Sequence, residues 1–351
     1  MKIVIDAMGS DMAPAVEVAG AIQAVEEFGY DLVLVGDEAL VKAALAKHKY
    51  HSDKIAVFHA PERIEMHEPA AISVRKKRRS SMVLGIDLLK RREADGFISA
   101  GNTGAVVCAA TLSLRLLPGI ERPGIASPLP TLSGQAIIMD VGANIDPKPI
   151  HLLQYGIMAD AYCKYIFRQS NPKVGLLNVG EEDTKGTGFI KEAHALLSES
   201  GLNFIGNIEG GAIYSGDVDI ILCDGFVGNV ILKVSESVAS TLMQLLKKGI
   251  KSSIIATLGA AMAAKAFKEL KIKTDYSEYG GAPLLGIDGN CIICHGSSNP
   301  KAIKNAVKVA GEFIRQDVNK HIVEKLGATN EIIKSHNVTK SHVKAFTGDV
   351  V

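Results

Sequence analysis

The side chains best suited to chemistry lie in four turns, each closing a short apolar run. Phe97-Ile98-Ser99 runs into Ala100-Gly101-Asn102-Thr103-Gly104, and Ile137-Ile138-Met139 runs into Asp140-Val141-Gly142-Ala143-Asn144. Val174–Leu177 runs into Asn178-Val179-Gly180-Glu181-Glu182-Asp183, and Ile220–Leu222 into Cys223-Asp224-Gly225-Phe226-Val227-Gly228-Asn229. Glycine turns open backbone N–H groups to an anion, and Asn102, Asn144 and Asn229 can each donate an amide proton to a developing oxyanion. Asn is also an ordinary turn residue, so the recurrence says more than any one position. Lys185 follows the third turn, where a lysine suits phosphate as a point charge. The plainer alternative is a surface lysine beside a helix capped by Asp183 or Thr184. His295-Gly296-Ser297-Ser298 closes another apolar run. His295 either joins the same site or is a hydrogen-bonded loop histidine.

Short apolar runs that end in turns read as buried strands of a parallel sheet, whose ligands bind beyond the carboxyl ends. All four turns are therefore expected along one sheet edge. Strand-like and helix-like runs alternate from the start: Ile3–Ile5, a helix over Pro14–Phe28, Leu32–Val35, a helix to about Lys47, and Ile55–Phe58. A helix from about Val74 to Arg92 leads into Phe97, and others follow near Ile150–Phe167, over Lys185–Ser200 and beyond Val230. Leu112–Thr131 holds four prolines and reads as an irregular excursion. The pattern predicts a three-layer α/β/α unit over residues 1–330 with a mostly parallel sheet, and a polar tail over 331–351.

The composition removes several classes. Net charge is +1, there is no Trp, and aromatics make up 5%, which speaks against a nucleic-acid partner. No Walker A run and no complete G-x-G-x-x-G occur; Lys185-Gly186-Thr187-Gly188 holds half of the latter. Cys291-Ile292-Ile293-Cys294-His295 matches a haem-attachment pattern, but it sits in a β-branched run and reads as strand. No second ligand pair is present for zinc, so no metal is expected. The five cysteines make no disulfide framework, and Met1–Asp6 reads as a first strand rather than a signal peptide. A cytoplasmic protein is expected.

Two surface features suggest partners. Arg75-Lys76-Lys77-Arg78-Arg79 is the densest basic run. With Ser73 as N-cap it would begin a helix, where positive charge opposes the dipole unless an anion or an acidic protein binds. The apolar segment Ile254–Leu270 is flanked by lysines. The longest uncharged stretch there, Ser252–Ala264, is 13 residues, short of the about 20 of a spanning helix. The segment suits either an acidic membrane surface, through Ile254, Ile255, Leu258, Met262 and Phe267, or a helix pair in the core or at a dimer seam.

In order along the chain, Asp6-Ala7-Met8-Gly9, the Ser99–Gly104, Asp140–Asn144, Gly175–Asp183 and Asp224–Asn229 turns, Gly280-Gly281-Ala282 and His295–Ser298 closely resemble the bacterial acyl-carrier-protein:phosphate acyltransferase family, PlsX. The resemblance covers about residues 1–316. It implies a fold like isopropylmalate dehydrogenase and phosphotransacetylase, a homodimer, and no cofactor. The implied reaction moves a long-chain fatty acyl group from acyl carrier protein to inorganic phosphate. The acyl phosphate product then serves phospholipid synthesis through a membrane glycerol-phosphate acyltransferase. The resemblance also implies peripheral attachment to the inner face of the cell membrane through the helical segment, about residues 235–275, and favours the lipid reading of Ile254–Leu270. Two departures stand out. Ser10 intervenes before Asp11, and Gly211-Ala212 follow Asn207-Ile208-Glu209-Gly210 where the family often has Arg-Asp.

Phosphate is itself a nucleophile, so the reaction needs approximation to the thioester carbon and donors for the oxyanion. On this reading Lys185 holds phosphate with Asp6, Gly9, Gly101, Thr103, Gly104, Gly142, Gly225, Gly228 and Ser297. Asn102, Asn144 and Asn229 serve the oxyanion or the pantetheine amides, and Asp224 or His295 orients groups or relays a proton. Arg75–Arg79 docks the acidic carrier. A coenzyme A-dependent phosphotransacylase, a decarboxylating dehydrogenase and a non-catalytic carrier-binding scaffold are the alternatives.

Overall fold

The computed structural model describes residues 1–50 and 53–329. Eleven strands form one sheet in the order β3-β2-β1-β4-β11-β10-β5-β6-β9-β7-β8. They are β1 (Lys2–Asp6), β2 (Asp31–Gly36), β3 (Ile55–His59), β4 (Gly96–Ser99), β5 (Gly124–Thr131), β6 (Gly134–Met139), β7 (Val174–Leu177), β8 (Phe204–Ile208), β9 (Ile220–Leu222), β10 (Ala282–Leu285) and β11 (Cys291–Ile293). Alternate residues of a strand face opposite layers. Ile3 and Ile5 pack with helices α1 (Ala15–Phe28) and α11 (Pro300–Arg315), while Val4 joins the opposite core with α4 (Ser81–Lys90) and α5 (Thr103–Leu114). In the other half Ile137 and Met139 face α6 (Pro149–Ile166), and Ile138 faces the same core as Val4. Helices thus cover both faces, as the sequence predicts.

The sheet contains two parallel blocks of opposite direction. β3, β2, β1, β4 and β11 run one way. β10 is antiparallel to β11 and to β5, and β5 is antiparallel to β6, which β9, β7 and β8 follow in parallel. The turns after β6, β7 and β9 share one edge, but the turn after β4 leaves the opposite edge. The expectation of a single edge fails because three antiparallel pairings in a row, β11 with β10, β10 with β5 and β5 with β6, leave the two blocks running in opposite senses.

Three local expectations also change. The proline-rich stretch contains β5, which pairs with β6 along its length, from Ala126↔Met139 to Thr131↔Gly134. β10 reaches only Gly124 and Ile125, so Pro128 and Pro130 lie where that flank is an open edge that tolerates a missing N–H. The helix drawn from Val74 to Arg92 is two helices: α3 (Ala70–Lys76) ends, and Ser80 caps α4 by accepting the Val83 N–H at 3.4 Å. Lys185 precedes α7 (Gly188–Ser198), which Thr187 caps. Helix α2 (Glu38–Leu45) completes the first layer. The tail over 331–351 lies outside the described residues.

Beyond the layers runs an arm of α8 (Gly225–Ile250), α9 (Ile254–Met262) and α10 (Ala264–Thr274). Only Gly225 and Gly228 of α8 are buried, and no residue of α9 is. Among the described residues no helix is long and apolar enough to cross a membrane.

Candidate active site

On the β6/β9 edge the polar groups hold backbone. The buried Asp140 carboxylate accepts the N–H of Ile125 at 2.9 Å, Gly142 at 3.2 Å, Ala143 at 3.1 Å and Asn144 at 2.7 Å. Burial pushes its carboxyl upward, against the pull of these four bonds. The Asn144 amide donates to the Pro123 carbonyl at 2.6 Å and the Tyr155 hydroxyl at 2.7 Å. Asp224 caps α8 by accepting the Val227 N–H at 2.8 Å, and the Gly225 N–H donates to the Asn144 carbonyl at 2.9 Å. Gly228 must lack a side chain, since a Cβ there would lie 1.9 Å from the Asp140 carbonyl oxygen. Gly142 faces Asn229. The Asn229 side chain is exposed and makes no hydrogen bond among the described residues.

On the β1/β4/β11 edge buried acids lie behind an exposed polar group. Asp6 accepts the Ser99 hydroxyl at 2.8 Å and the Met8 N–H at 3.2 Å, and burial raises its pKa. Gly9 lies against the next turn; a Cβ there would meet the Gly101 nitrogen at 2.8 Å. Asn102 caps α5, accepting the Ala105 N–H at 3.0 Å, and its amide donates to the Met66 carbonyl at 2.9 Å and the Glu68 carbonyl at 3.0 Å. Thr103 and Gly104 form the first turn of α5, with Gly104 against Ala70. Glu17 is fully buried on α1 and accepts the Ser10 N–H at 2.9 Å; burial pushes its carboxyl up to about 7.

His295 follows β11 and meets α8. Its Nε2 lies 2.7 Å from Lys233 Nζ, and its Nδ1 lies 2.7 Å from the Ser297 hydroxyl. An ammonium only donates, and the Ser297 N–H donates to Nδ1 at 3.2 Å, so both ring nitrogens face donors and the Ser297 turn holds the ring in place. Glu236 holds Lys233 at 3.1 Å and approaches Nε2 at 3.9 Å. Lys233, Glu236 and His295 are each partly exposed. α8 therefore starts at one edge and presents its third turn at the other, about 13 Å along its axis.

The remaining predicted residues lie apart. Lys185 Nζ is 4.0 Å from Glu182, and its carbonyl accepts the Asn178 amide at 3.2 Å. No hydrogen bond or ion pair among the described residues joins its turn to Asp224 or to His295. The basic run does not begin a helix as expected. Arg75 and Lys76 occupy the last turn of α3, where positive charge complements the dipole, and Arg78 and Arg79 follow in the loop. Ser73 donates its hydroxyl to Glu68 at 2.7 Å instead of capping. Lys77 pairs with Glu68, which holds that carboxyl down at about 2, while Arg75, Lys76, Arg78 and Arg79 stay exposed. Among the described residues no group of three or more His, Cys, Asp or Glu is placed to hold a metal.

Sequence reasoning missed Lys233, Glu236 and Glu17 as site groups, and missed Asp140 as the organiser of its turn. The available signal was spacing: Asn229, Lys233 and Glu236 stand at i, i+4 and i+7, one face of the helix that the Asp224–Asn229 turn opens.

The layers and strand order define a three-layer α/β/α protein around one mixed sheet. The chain matches a Streptococcus pyogenes phosphotransacetylase with a TM-score of 0.61 at 18% identity, covering 89% of this chain and 94% of that one. An Enterococcus faecalis branched-chain phosphotransacylase follows with a TM-score of 0.53 at 14% identity, covering 90% and 99%. At such identities the likeness concerns the fold. A family model described as "Fatty acid synthesis protein" matches residues 1–321, and the chain belongs to that family. Proteins named phosphate acyltransferase are its relatives: 47% identity to that of Geobacter sulfurreducens over 93% of this chain and 94% of the relative, and 48% to that of Dictyoglomus turgidum over 93% and 98%. The chain is an acyltransferase by this membership.

Proposed function

We propose that the protein transfers a long-chain fatty acyl group from the thioester of acyl carrier protein to inorganic phosphate, releasing acyl phosphate for phospholipid synthesis. The observation that carries this reading is the near-half identity to phosphate acyltransferases across almost the whole chain. The geometry supports it in two ways. Lys233, His295 and Asn229 offer a cation, a proton carrier and an amide donor on an accessible surface. Asn102 ties the α5 turn to the Met66–Glu68 loop, and Glu68 pairs with Lys77 of the basic run, so the run suited to an acidic carrier stands beside that surface.

Thiol release should require phosphate and should run faster with long-chain acyl carrier protein than with acyl-CoA, and hydroxylamine should trap the acyl phosphate. Release that is independent of phosphate would sink the reading; a preference for acyl-CoA would leave the coenzyme A-dependent phosphotransacylase.

The arm supplies two further contacts. Phe226, Val230, Val234, Val238, Leu242 and Leu245 form an exposed stripe along α8 that suits a second copy of the chain in a homodimer. At the tip Ile254, Ile255, Leu258 and Met262 are exposed, Met262 at 91%, and α10 carries the half-buried Phe267 with Lys265 and Lys268 exposed. That arrangement suits the surface of an anionic membrane, where the downstream glycerol-phosphate acyltransferase would take the product. Ile255→Asp with Leu258→Asp should abolish sedimentation with phosphatidylglycerol vesicles; retained binding would remove the lipid role.

A further inference from the structure

We propose that Glu17 is a positioning residue whose buried carboxyl locks the turn after β1 against the turns after β4 and β11, and that loss of its proton releases the lock. What the lock serves rests on the acyl-transfer reading above; the lock itself rests on geometry.

The turn after β1 touches both neighbouring turns within three residues. Gly9 lies against the turn after β4, where a Cβ would meet the Gly101 nitrogen at 2.8 Å. The Asp11 N–H donates to the Gly296 carbonyl of the turn after β11 at 2.9 Å. Ser10 stands between these contacts, and its N–H donates to Glu17 Oε1 at 2.9 Å. The chain then folds back, with the Ala13 N–H on the Ser10 carbonyl at 3.2 Å, so Glu17 reaches from the first turn of α1 to the loop that precedes it. Glu17 is fully buried, and its Oε2 and the Ser10 hydroxyl have no other partner among the described residues.

The supply of donors decides which form of the acid fits. Asp140, in the turn after β6, accepts four backbone N–H groups. Glu17 accepts one, with the Ser10 hydroxyl as the further donor beside it. The titratable groups facing it are Asp6 at the end of β1, a like charge, and the Cys294 thiol after β11, which burial and the Glu17 charge push up to about 12. The lysines of the helices packed on α1 are engaged elsewhere: Lys301 and Lys304 of α11 pair with Glu278 and Glu27, and Lys42 of α2 pairs with Glu38. An ionised carboxylate at this place is short of donors and close to a second acid, so it favours a turn that opens to water. A neutral carboxyl suits the closed turn, with its proton between Oε2 and the Ser10 hydroxyl. Burial accordingly raises Glu17 from 4.5 to about 7. Closure is therefore fully favoured below pH 4.5, weakens as pH rises toward 7, and levels off above it.

Glu17→Gln keeps the shape and the acceptor and removes the titration. In hydrogen exchange on the full-length protein, protection of the Asp11 amide, corrected for intrinsic exchange, should fall about 10- to 30-fold in the wild type between about pH 5.5 and 7.5 and stay level in Glu17→Gln. In phosphate-dependent thiol release from acylated carrier protein, the ratio of variant to wild-type kcat/KM for phosphate should rise about 3- to 10-fold over the same range. The ratio cancels the ionisation of phosphate itself. A level wild-type protection curve, or curves that stay parallel in the two proteins, overturns the lock. A constant kinetic ratio beside diverging protection curves overturns the positioning role. Absence of phosphate-dependent thiol release in the wild type would instead overturn the acyl-transfer reading, and the protection curves would still decide the lock.

Discussion

The two sheet edges use similar residues for different ends. At the β6/β9 edge Asp140, Asn144 and Asp224 are engaged with backbone groups, and both oxygens of Asp140 are satisfied. At the β1/β4/β11 edge Lys233, Glu236, His295 and Ser297 contact one another and stay partly exposed, while Glu17 Oε2 and the Ser10 hydroxyl are buried without a partner among the described residues. A strand-end Asn or Asp can therefore build a turn or act on a ligand. The bonds already made by its side chain separate the two uses.

The largest effect should come from Asp140→Ala. It removes the acceptor of four backbone N–H groups, and urea unfolding should show a loss of about 3–5 kcal/mol. A change below about 1 kcal/mol would erase the structural half of the contrast. Glu17 comes next. Its folded pKa is raised from 4.5 to about 7, so its contribution to stability is fully present below pH 4.5 and is lost as pH rises through 7. Glu17→Gln should abolish that slope and be the more stable protein at pH 8, by up to about 3 kcal/mol. Parallel stability–pH curves for the two proteins would contradict a buried, easily protonated acid. Smallest is the effect at the basic loop proposed to dock the carrier. Glutamine at Arg75, Lys76, Arg78 and Arg79 together should raise the KM for acylated carrier about tenfold at low salt, a difference fading as salt screens it. An unchanged KM at low salt would remove carrier docking from that edge.

Much of this was legible in the sequence. The apolar runs at Ile3–Ile5, Leu32–Val35, Ile137–Met139 and Ile220–Leu222 are strands, because buried parallel strands need little else. The direction of each block was not legible, since it rests on the number of antiparallel pairings between them, and β10 and β5 are brought together only by folding, Leu284 opposite Ile125. The break between α3 and α4 was hidden because Lys77 and Ser80 suit a helix interior tolerably. The paired Glu68 and the Ser80 cap decide it. His295 stood out as a strand-end histidine, but its partner Lys233 is 62 positions away in the chain and carries no local mark.

The contrast between the edges is tested most directly by kcat for phosphate-dependent thiol release in His295→Asn, measured beside its thermal midpoint. The account predicts a kcat about 100-fold below wild type with the midpoint within about 2 °C, since the ring is partly exposed and stabilises little. A wild-type kcat in a folded variant would contradict it.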